Sequence, residues 1–229
     1  MENNIFRRVE EKYCLSECQK DNFFREIKKY IIKDDYFKSN IMNIYFDNDN
    51  NELVIRSNDK PLYKEKIRLR SYDIPTLDSY VFLEIKSKYE GITSKRRIRL
   101  KLSEFYDYIN GKKIDNNQIM KEIDYLFKYH KLKPNYFIAY DRLSYKSIED
   151  ENLRITIDSN LRSRKNNLNL EYGDNGDKFF DDNTYIMEIK TLNSMPMWLT
   201  RILSKLKIYP SSFSKYGEIY KKECINYVK

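Results

Sequence analysis

The sequence predicts an α+β fold: an antiparallel β-barrel of about eight strands with helices packed on its outside. Two patterns and a length carry that prediction. Five stretches place polar, mostly charged residues at every second position with apolar side chains between them. They are Lys66, Arg68 and Arg70 against Ile67 and Leu69; Glu84, Lys86 and Lys88 against Leu83 and Ile85; Lys95, Arg97, Arg99 and Lys101 against Ile98, Leu100 and Leu102; Arg154, Thr156 and Asp158 against Leu153, Ile155 and Ile157; and Glu188 and Lys190 against Met187 and Ile189. Side chains alternate faces along a strand, so each stretch has one apolar face for a core and one polar face. Other segments repeat apolar residues at helical spacing. The 229 residues contain no Pro/Gly/Ser-rich linker, which suits a single domain over residues 1–229.

The elements follow in order. A first strand spans residues 7–15. Ser16 is an N-cap for a helix over 17–37, in which Phe23, Phe24, Ile27, Tyr30 and Ile31 fall at helical spacing. Strands are expected at 40–47, 52–56, 63–72, 80–89 and 93–101, with the turn-forming run Asn48-Asp49-Asn50-Asn51 between the first two. Ser103 caps a second helix carrying Tyr106 and Ile109. A third, through Ile119, Ile123, Leu126 and Phe127, ends near Lys133-Pro134. Strands resume at 135–147, 152–158 and 183–191, and a polar Asn/Asp/Gly-rich excursion occupies 164–177. Pro196 opens a helix through Trp198, Leu199, Ile202, Leu203 and Leu206.

With 43 Lys and Arg against 35 Asp and Glu, the net charge of +8 favours an anionic partner. Placement sharpens this. A lumen lined by Lys, Arg and Glu cannot pack as a dry core, because each unpaired buried charge is too costly; it must be wet and hold anions. Cys14, Cys18 and Cys224 show no paired CxxC spacing, which argues against a disulfide framework or structural zinc and for a reducing compartment. The first residues carry charge where a signal peptide needs an apolar run, and no stretch approaches about 18 apolar residues, so the expected location is cytoplasmic. There is no Walker A loop and no GxGxxG, and the five glycines are expected in turns, so phosphate would not be bound by a helix N-terminal cradle. The lone His130 is expected near a helix end as a surface or capping residue, and nothing supports a triad around it.

On the polar faces, Arg68 and Arg70 can grip neighbouring phosphates through bidentate forks, while Lys66, Lys86, Lys88 and Lys95 supply point charges. The competing reading is a solvated sheet surface, which five strands sharing the pattern disfavour. Glu10, Glu84 and Glu188 lie on faces that also carry Lys12, Lys86 and Lys190. Each either orients its lysine in an ion pair or ligates a divalent cation that bridges phosphates.

Taken in order, the segments RRVEEKY, YFD, KIRLRSY, FLEIKSK, SKRRIRL, AYDRLSY, LRITIDSNL, MEIKT and PSSFSKY resemble the VTC domain over nearly the whole chain. That domain is the catalytic part of the vacuolar transporter chaperone complex, a polyphosphate polymerase of the triphosphate tunnel metalloenzyme (CYTH-like) superfamily. The resemblance implies a tunnel of about eight antiparallel strands whose basic bore holds triphosphate or polyphosphate. Motif by motif, it makes Lys12 the basic residue of the first strand, Arg68 and Arg70 the paired arginines, and Lys86 and Lys95 tunnel lysines. Arg142 and Arg154 become further phosphate-binding arginines, Glu188 the metal-binding glutamate with Lys190 beside it, and Ser214 and Lys215 the terminal phosphate-contacting pair. Arg68, Arg70, Lys86 and Arg142 are thereby assigned catalytic roles. Lys12, Lys66, Lys88, Lys95, Arg97, Arg154, Lys190, Ser214 and Lys215 are assigned to phosphate binding, with Glu10 and Glu84 as further metal candidates. Two departures stand out: Ser212 occupies a place where a lysine is often found, and Arg8 the place of the superfamily's first opening glutamate, as is usual in VTC-like sequences. The N-terminal inositol-phosphate-sensing domain and membrane helices of the eukaryotic complex have no counterpart in this sequence.

The implied reaction is transfer of the γ-phosphoryl group of ATP to the end of a growing polyphosphate chain, leaving ADP, with Mn2+ or Mg2+ on Glu188. An attacking phosphate is already ionised near neutral pH, so no general base is needed. Two alternatives stay open: a tripolyphosphatase or nucleoside triphosphatase in which water is the acceptor, and a polyphosphate- or nucleic-acid-binding module without turnover. The expected partners are ATP and inorganic polyphosphate or triphosphate. Nucleic acid is not expected, since it would need an accessible groove with exposed stacking aromatics. No transmembrane segment is foreseen, and a membrane-protein partner that translocates polymer is left open.

Overall fold

The computed structural model describes residues 9–59, 61–90, 92–112, 117–180, 183–192 and 194–227. Arg8 lies outside them. Along these residues run nine strands and six helices: β1 (Val9–Ser16), α1 (Glu17–Ile27), β2 (Ile31–Asp47), α2 (Glu52–Asn58), β3 (Tyr63–Tyr72), β4 (Tyr80–Tyr89), β5 (Ile92–Lys101), α3 (Leu102–Ile109), α4 (Gln118–His130), β6 (Lys133–Ser147), β7 (Arg154–Arg164), β8 (Asp177–Lys178), β9 (Thr184–Thr191), α5 (Met197–Lys205) and α6 (Lys215–Tyr227). The strand that the sequence did not announce is β8, two residues long. The chain forms two compact units, one from the described parts of Met1–Asn40, Tyr140–Leu161 and Lys178–Ser214, the other from those of Ile41–Ala139, Arg162–Asp177 and Lys215–Lys229. No helix among the described residues is long and apolar enough to cross a membrane.

In the first unit the strand order is β1-β9-β7-β6, and both β1–β9 and β7–β9 pair antiparallel. Alternation decides which side chains go inward. Tyr13 and Leu15 of β1, Ile155 and Ile157 of β7, and Met187 and Ile189 of β9 are buried against Phe23 and Ile27 of α1 and Leu199 and Leu203 of α5. Ser16 caps α1 as expected, its Oγ accepting from the Gln19 amide at 3.3 Å while Gln19 Oε1 accepts from the Ser16 amide. The helix stops at Ile27, ten residues short of the expected end. The Tyr30 amide donates to the Ile27 carbonyl at 2.8 Å, the Tyr30 carbonyl accepts from the Ile148 amide, and its ring stacks on Trp198 at 4.1 Å. From there the β-branched pair Ile31-Ile32 begins β2, a strand of 17 residues rather than the expected eight or so.

In the second unit β2-β3-β4-β5 are antiparallel neighbours. Ile67, Leu69, Val81, Leu83, Ile85 and Leu100 turn inward onto Leu102 and Phe105 of α3 and Met120 and Ile123 of α4. Helix α3 begins at Leu102 with Lys101 at the N-cap position, so Ser103 lies inside its first turn and not at the cap. Helix α4 ends where expected, with Lys131 left-handed at φ 52.

Residues 52–56, expected as a strand, are helix α2. Leu53, Val54 and Ser57 are its buried residues, a helical and not an alternating set. A short apolar run reads either way, and Asp47 settles it. Its buried carboxylate accepts from the amides of Asn48 (2.9 Å), Leu53 (2.9 Å) and Val54 (3.0 Å), gathering the donors that a helix start leaves without partners. The fourth donor is the Tyr216 hydroxyl at 2.9 Å, which ties down α6, a helix that the sequence pattern did not announce. Gly217 lies inside α6 and not in a turn.

The polar excursion after β7 is ordered by one guanidinium. Arg164 donates to the carbonyls of Asn167 (3.0 Å), Asn169 (3.1 Å), Gly173 (3.0 Å) and Asn175 (2.5 Å), and its Cζ lies 3.5 Å from the Phe137 ring centroid. Gly176 passes so close to Ser163 that a Cβ would sit 2.7 Å from the carbonyl oxygen.

Replacing Asp47 with Ala strands several buried donors at once. Urea unfolding should show a loss of about 3 kcal/mol for Asp47→Ala and about 1 kcal/mol for Tyr216→Phe, which removes one bond. Equal losses would mean that the amides of α2 find other partners.

Candidate functional site

The register of β3, β4 and β5 arranges the polar face in rows. Lys64 stands opposite Lys88 and Thr93; Lys66 opposite Lys86 and Lys95; Arg68 opposite Glu84 and Arg97; Arg70 opposite Phe82 and Arg99. Of the seven cations assigned from sequence to these strands, six, Lys66, Arg68, Arg70, Lys86, Lys95 and Arg97, occupy three adjacent rows. Lys88 is exposed one row further on.

Glu84 organises the cluster. It is fully buried, with Arg68 Nε and Nη2 at 2.9 and 2.8 Å from the same oxygen, Oε2, and Arg70 Nε 4.0 Å from it. The other oxygen, Oε1, has no hydrogen-bond partner, and Lys95 Nζ lies 3.7 Å away. Burial alone would hinder ionisation, but the charges of Arg68, Arg70 and Lys95 together outweigh it and hold the carboxyl well below the usual carboxylate range. Glu84 is thus ion-paired, with Arg68 of the neighbouring strand. Tyr45 and Asn43 of β2 complete the frame: Arg68 Nη1 donates to the Tyr45 hydroxyl at 3.1 Å, and Arg70 Nε to Asn43 Oδ1 at 2.9 Å. Asn43 is itself held by a bond to the Ile138 carbonyl. Lys95 is depressed to about 8, first by the protein surrounding it and then by the neighbouring arginines, with Glu84 acting against them. Its side chain keeps 44 % of its accessibility, so water moderates that shift.

The first unit carries a second cluster. Lys12 on β1 faces Glu188 on β9, which faces Thr156 on β7; the next row is Glu10, Lys190 and Arg154. Glu188 is met by Lys12 Nζ at 3.7 Å, Lys190 Nζ at 3.5 Å and Arg142 Nη2 at 3.5 Å. Arg142 is locked by Asp158 through two bonds of 2.6 and 2.7 Å. Burial works against its charge, but Asp158, Tyr140 and Glu188 raise its pKa further above the ordinary arginine value. Lys12 donates to the Phe213 carbonyl at 3.1 Å, which brings residue 213 of the FSKY segment to this cluster. Ser214 is partly exposed and Lys215 buried at the first turn of α6, and Ser212 is exposed. Arg154 stands at the margin, half exposed, with Asp34 at 3.8 Å.

Glu188 and Glu10 both approach Lys12, at 3.7 and 3.8 Å. Among the described residues no three His, Cys, Asp or Glu side chains gather as a metal site. A Mg2+-type ion, however, commonly takes one or two carboxylates and completes its shell with phosphate oxygens and water. These two carboxylates fit that donor set. So does Thr156, whose buried Oγ1, opposite Glu188, has no hydrogen-bond partner.

Asn43, Tyr45 and Asp158 were not singled out as site residues. The signal for the first two was available: Asn43, Tyr45 and Asp47 alternate with Met42, Ile44 and Phe46, but without formal charge at the first two positions. His130 is not the surface or capping residue expected. It is largely buried in the last turn of α4, with Nε2 3.2 Å from Glu65 Oε1.

Glu84→Gln should lower stability at pH 7 by about 3 kcal/mol, since it leaves buried cations uncompensated. The pH dependence has a definite sign. A depressed folded pKa makes the contribution of Glu84 complete above the ordinary carboxylate range and erodes it as pH falls below about 4.3, so the variant should have a flatter acid limb in thermal melts. A variant as stable as its parent would show that Arg68, Arg70 and Lys95 do not need this charge.

The family model described as the VTC domain matches residues 7–223. No curated protein matches the chain. Solved structures of similar fold include a candidate adenylate cyclase from Bacillus halodurans, at TM-score 0.54 and 16% identity over 91% of this chain and 95% of that one. Another is a candidate adenylyl cyclase from Hippeastrum that shows a dominant triphosphatase activity, at TM-score 0.53 and 14% identity over 94% and 96%. At these identities the likeness is one of fold alone, a mostly antiparallel sheet with accompanying helices. Because the family match leaves out only short stretches at either end, the chain belongs to the VTC domain family.

Proposed function

We propose that this protein is a metal-dependent polyphosphate polymerase, which transfers the γ-phosphoryl group of ATP to the terminal phosphate of a growing polyphosphate chain. The observation that carries this reading is the wall of cations on β3, β4 and β5, where Lys66, Arg68, Arg70, Lys86 and Lys95 stand in adjacent rows around a buried carboxylate that Arg68, Arg70 and Lys95 approach. Such a wall presents several cations side by side to one polyanion. Membership of the VTC domain family supports the same substrate class.

Phosphoryl transfer passes through a loose transition state with its charge on the phosphate oxygens, so catalysis is largely positioning and electrostatic stabilisation. Arg68 and Arg70 suit that role because Glu84, Tyr45 and Asn43 fix their guanidinium groups beforehand. Lys66, Lys86 and Lys95 hold the rest of the phosphate chain. In the first unit Arg142 is locked by Asp158, and Lys12 and Lys190 stand beside Glu188. Glu188, with Glu10, would hold a divalent ion, which when bound neutralises charge on phosphate oxygens. No general base is required of the chain, in keeping with a histidine engaged elsewhere with Glu65. The triphosphatase activity of the Hippeastrum protein keeps hydrolysis as the second reading.

Incubation with ATP and Mn2+, followed by phosphorus NMR and gel separation, should yield long-chain polyphosphate and ADP. Release of orthophosphate or tripolyphosphate alone would replace the polymerase with a hydrolase, and binding without turnover would leave a binding module. Lys86→Ala and Glu188→Gln should each cut turnover about a hundredfold while circular dichroism stays unchanged; full activity in both would overturn the site assignment.

Lys95 provides a second readout. An anion beside it raises its pKa from about 8 toward the ordinary value, so tripolyphosphate should bind with net proton uptake between about pH 8 and 10, and with less below pH 7. Titration calorimetry at pH 8.5 in two buffers of different ionisation enthalpy measures this uptake, and Lys95→Met should reduce it. Equal uptake by the variant would assign the proton to another group.

A further inference from the structure

The polar face of β3, β4 and β5 changes chemistry along its length. Along β4 it reads Tyr80, Phe82, Glu84, Lys86, Lys88; along β3, in the same direction, Tyr72, Arg70, Arg68, Lys66, Lys64; along β5, Lys101, Arg99, Arg97, Lys95, Thr93. One end is lysine and the other is aromatic rings interleaved with arginine, with rows about 7 Å apart.

The aromatic end is built but not closed over. Tyr72 is 43% and Tyr80 51% exposed, and the Tyr72 ring meets Phe82 edge-on at 5.8 Å. Arg99 Cζ lies 3.7 Å from the Tyr80 ring centroid and Arg97 Cζ 4.5 Å from that of Phe82. Neither arginine has a carboxylate in ion-pair reach among the described residues. Their neighbour Arg96, on the opposite face, is paired with Glu122. A guanidinium lying on a ring keeps a second flat face for stacking and its charge for an anion. Exposed rings, flat cations and unneutralised charge together match a ligand with a π-face next to a phosphate.

We infer that this end, formed by Tyr72, Tyr80, Phe82, Arg97 and Arg99, holds the base of a nucleoside triphosphate. The phosphates then run along the face toward Lys66, Lys86 and Lys95. The assignment rests on the phosphate-binding reading proposed above and gives that site a direction. The α-phosphate lies nearest Arg70, and the γ-phosphate faces the lysine row. Inorganic tripolyphosphate uses the cationic rows and leaves the rings bare.

The test compares three probes by titration calorimetry on the full chain: ATP, ribose 5-triphosphate, which keeps the sugar and phosphates but has no base, and inorganic tripolyphosphate. The parent protein should bind ATP about fivefold or more tighter than ribose 5-triphosphate. Tyr80→Ala, and Arg99→Lys, which keeps the charge and removes the flat cation, should each shrink that ratio toward one and leave tripolyphosphate affinity unchanged. Equal binding of ATP and ribose 5-triphosphate by the parent protein, or variants that weaken all three ligands alike, would overturn the base site while the phosphate reading stands. If the parent protein binds none of the three, the phosphate reading itself falls. Should Tyr80→Ala not fold, the parent's ligand comparison and Arg99→Lys decide.

Discussion

A carboxylate shut away from water among three cations is the constraint on which the polar face of β3, β4 and β5 depends. Like charges at Arg68, Arg70 and Lys95 repel, and without a negative centre the side chains would swing apart into solvent. Glu84 supplies that centre at zero accessibility, using one oxygen for Arg68 and leaving the other with only a distant ammonium. An enclosed ion pair of this kind contributes position more than stability, because desolvation consumes much of the Coulomb attraction. Position is what a phosphate-holding surface needs. The arginines are aimed before any anion arrives.

The cluster of the first unit follows a different rule. Its cations Lys12, Arg142 and Lys190 meet three carboxylates, Glu10, Asp158 and Glu188. The first set has carboxylate oxygens to offer a divalent ion, whereas the arginines and lysines of β3, β4 and β5 would suit phosphate. Each arrangement is erected on its own apolar core, one around Phe23 and Leu199, the other around Leu83 and Phe105. Strand alternation explains both at once, since each residue that anchors the core is next in sequence to one on the polar face.

That same alternation made most of the site legible. Charge at every second residue placed Lys66, Arg68, Arg70, Lys86 and Lys95 on one face before any coordinates, and the antiparallel register put them abreast. Asn43 and Tyr45 escaped because they carry no formal charge and matter only through the arginines they hold. Asp158 escaped because its strand was read for Arg154, which lies at the margin. Where periodicity failed, a tertiary contact had overridden it. Asp47 captures the amides of Leu53 and Val54 and makes a helix of a run that could have been a strand, and Tyr30 ends α1 by joining its carbonyl to Ile148 and its ring to Trp198. Long-range partners of this kind leave no local periodicity to read.

The segment after β7 has the asparagine, aspartate and glycine content usually sought for a flexible attachment point. Arg164 gathers four of its carbonyls onto one guanidinium and seats that group on Phe137, and Gly176 runs against Ser163 with no room for a side chain. An engineer choosing by composition would place an epitope tag or a fluorescent fusion here, and would be cutting a knot and not a slack thread. By the same token it is a good place to attach a rigid spin label, because a probe there would report the motion of its unit and not its own.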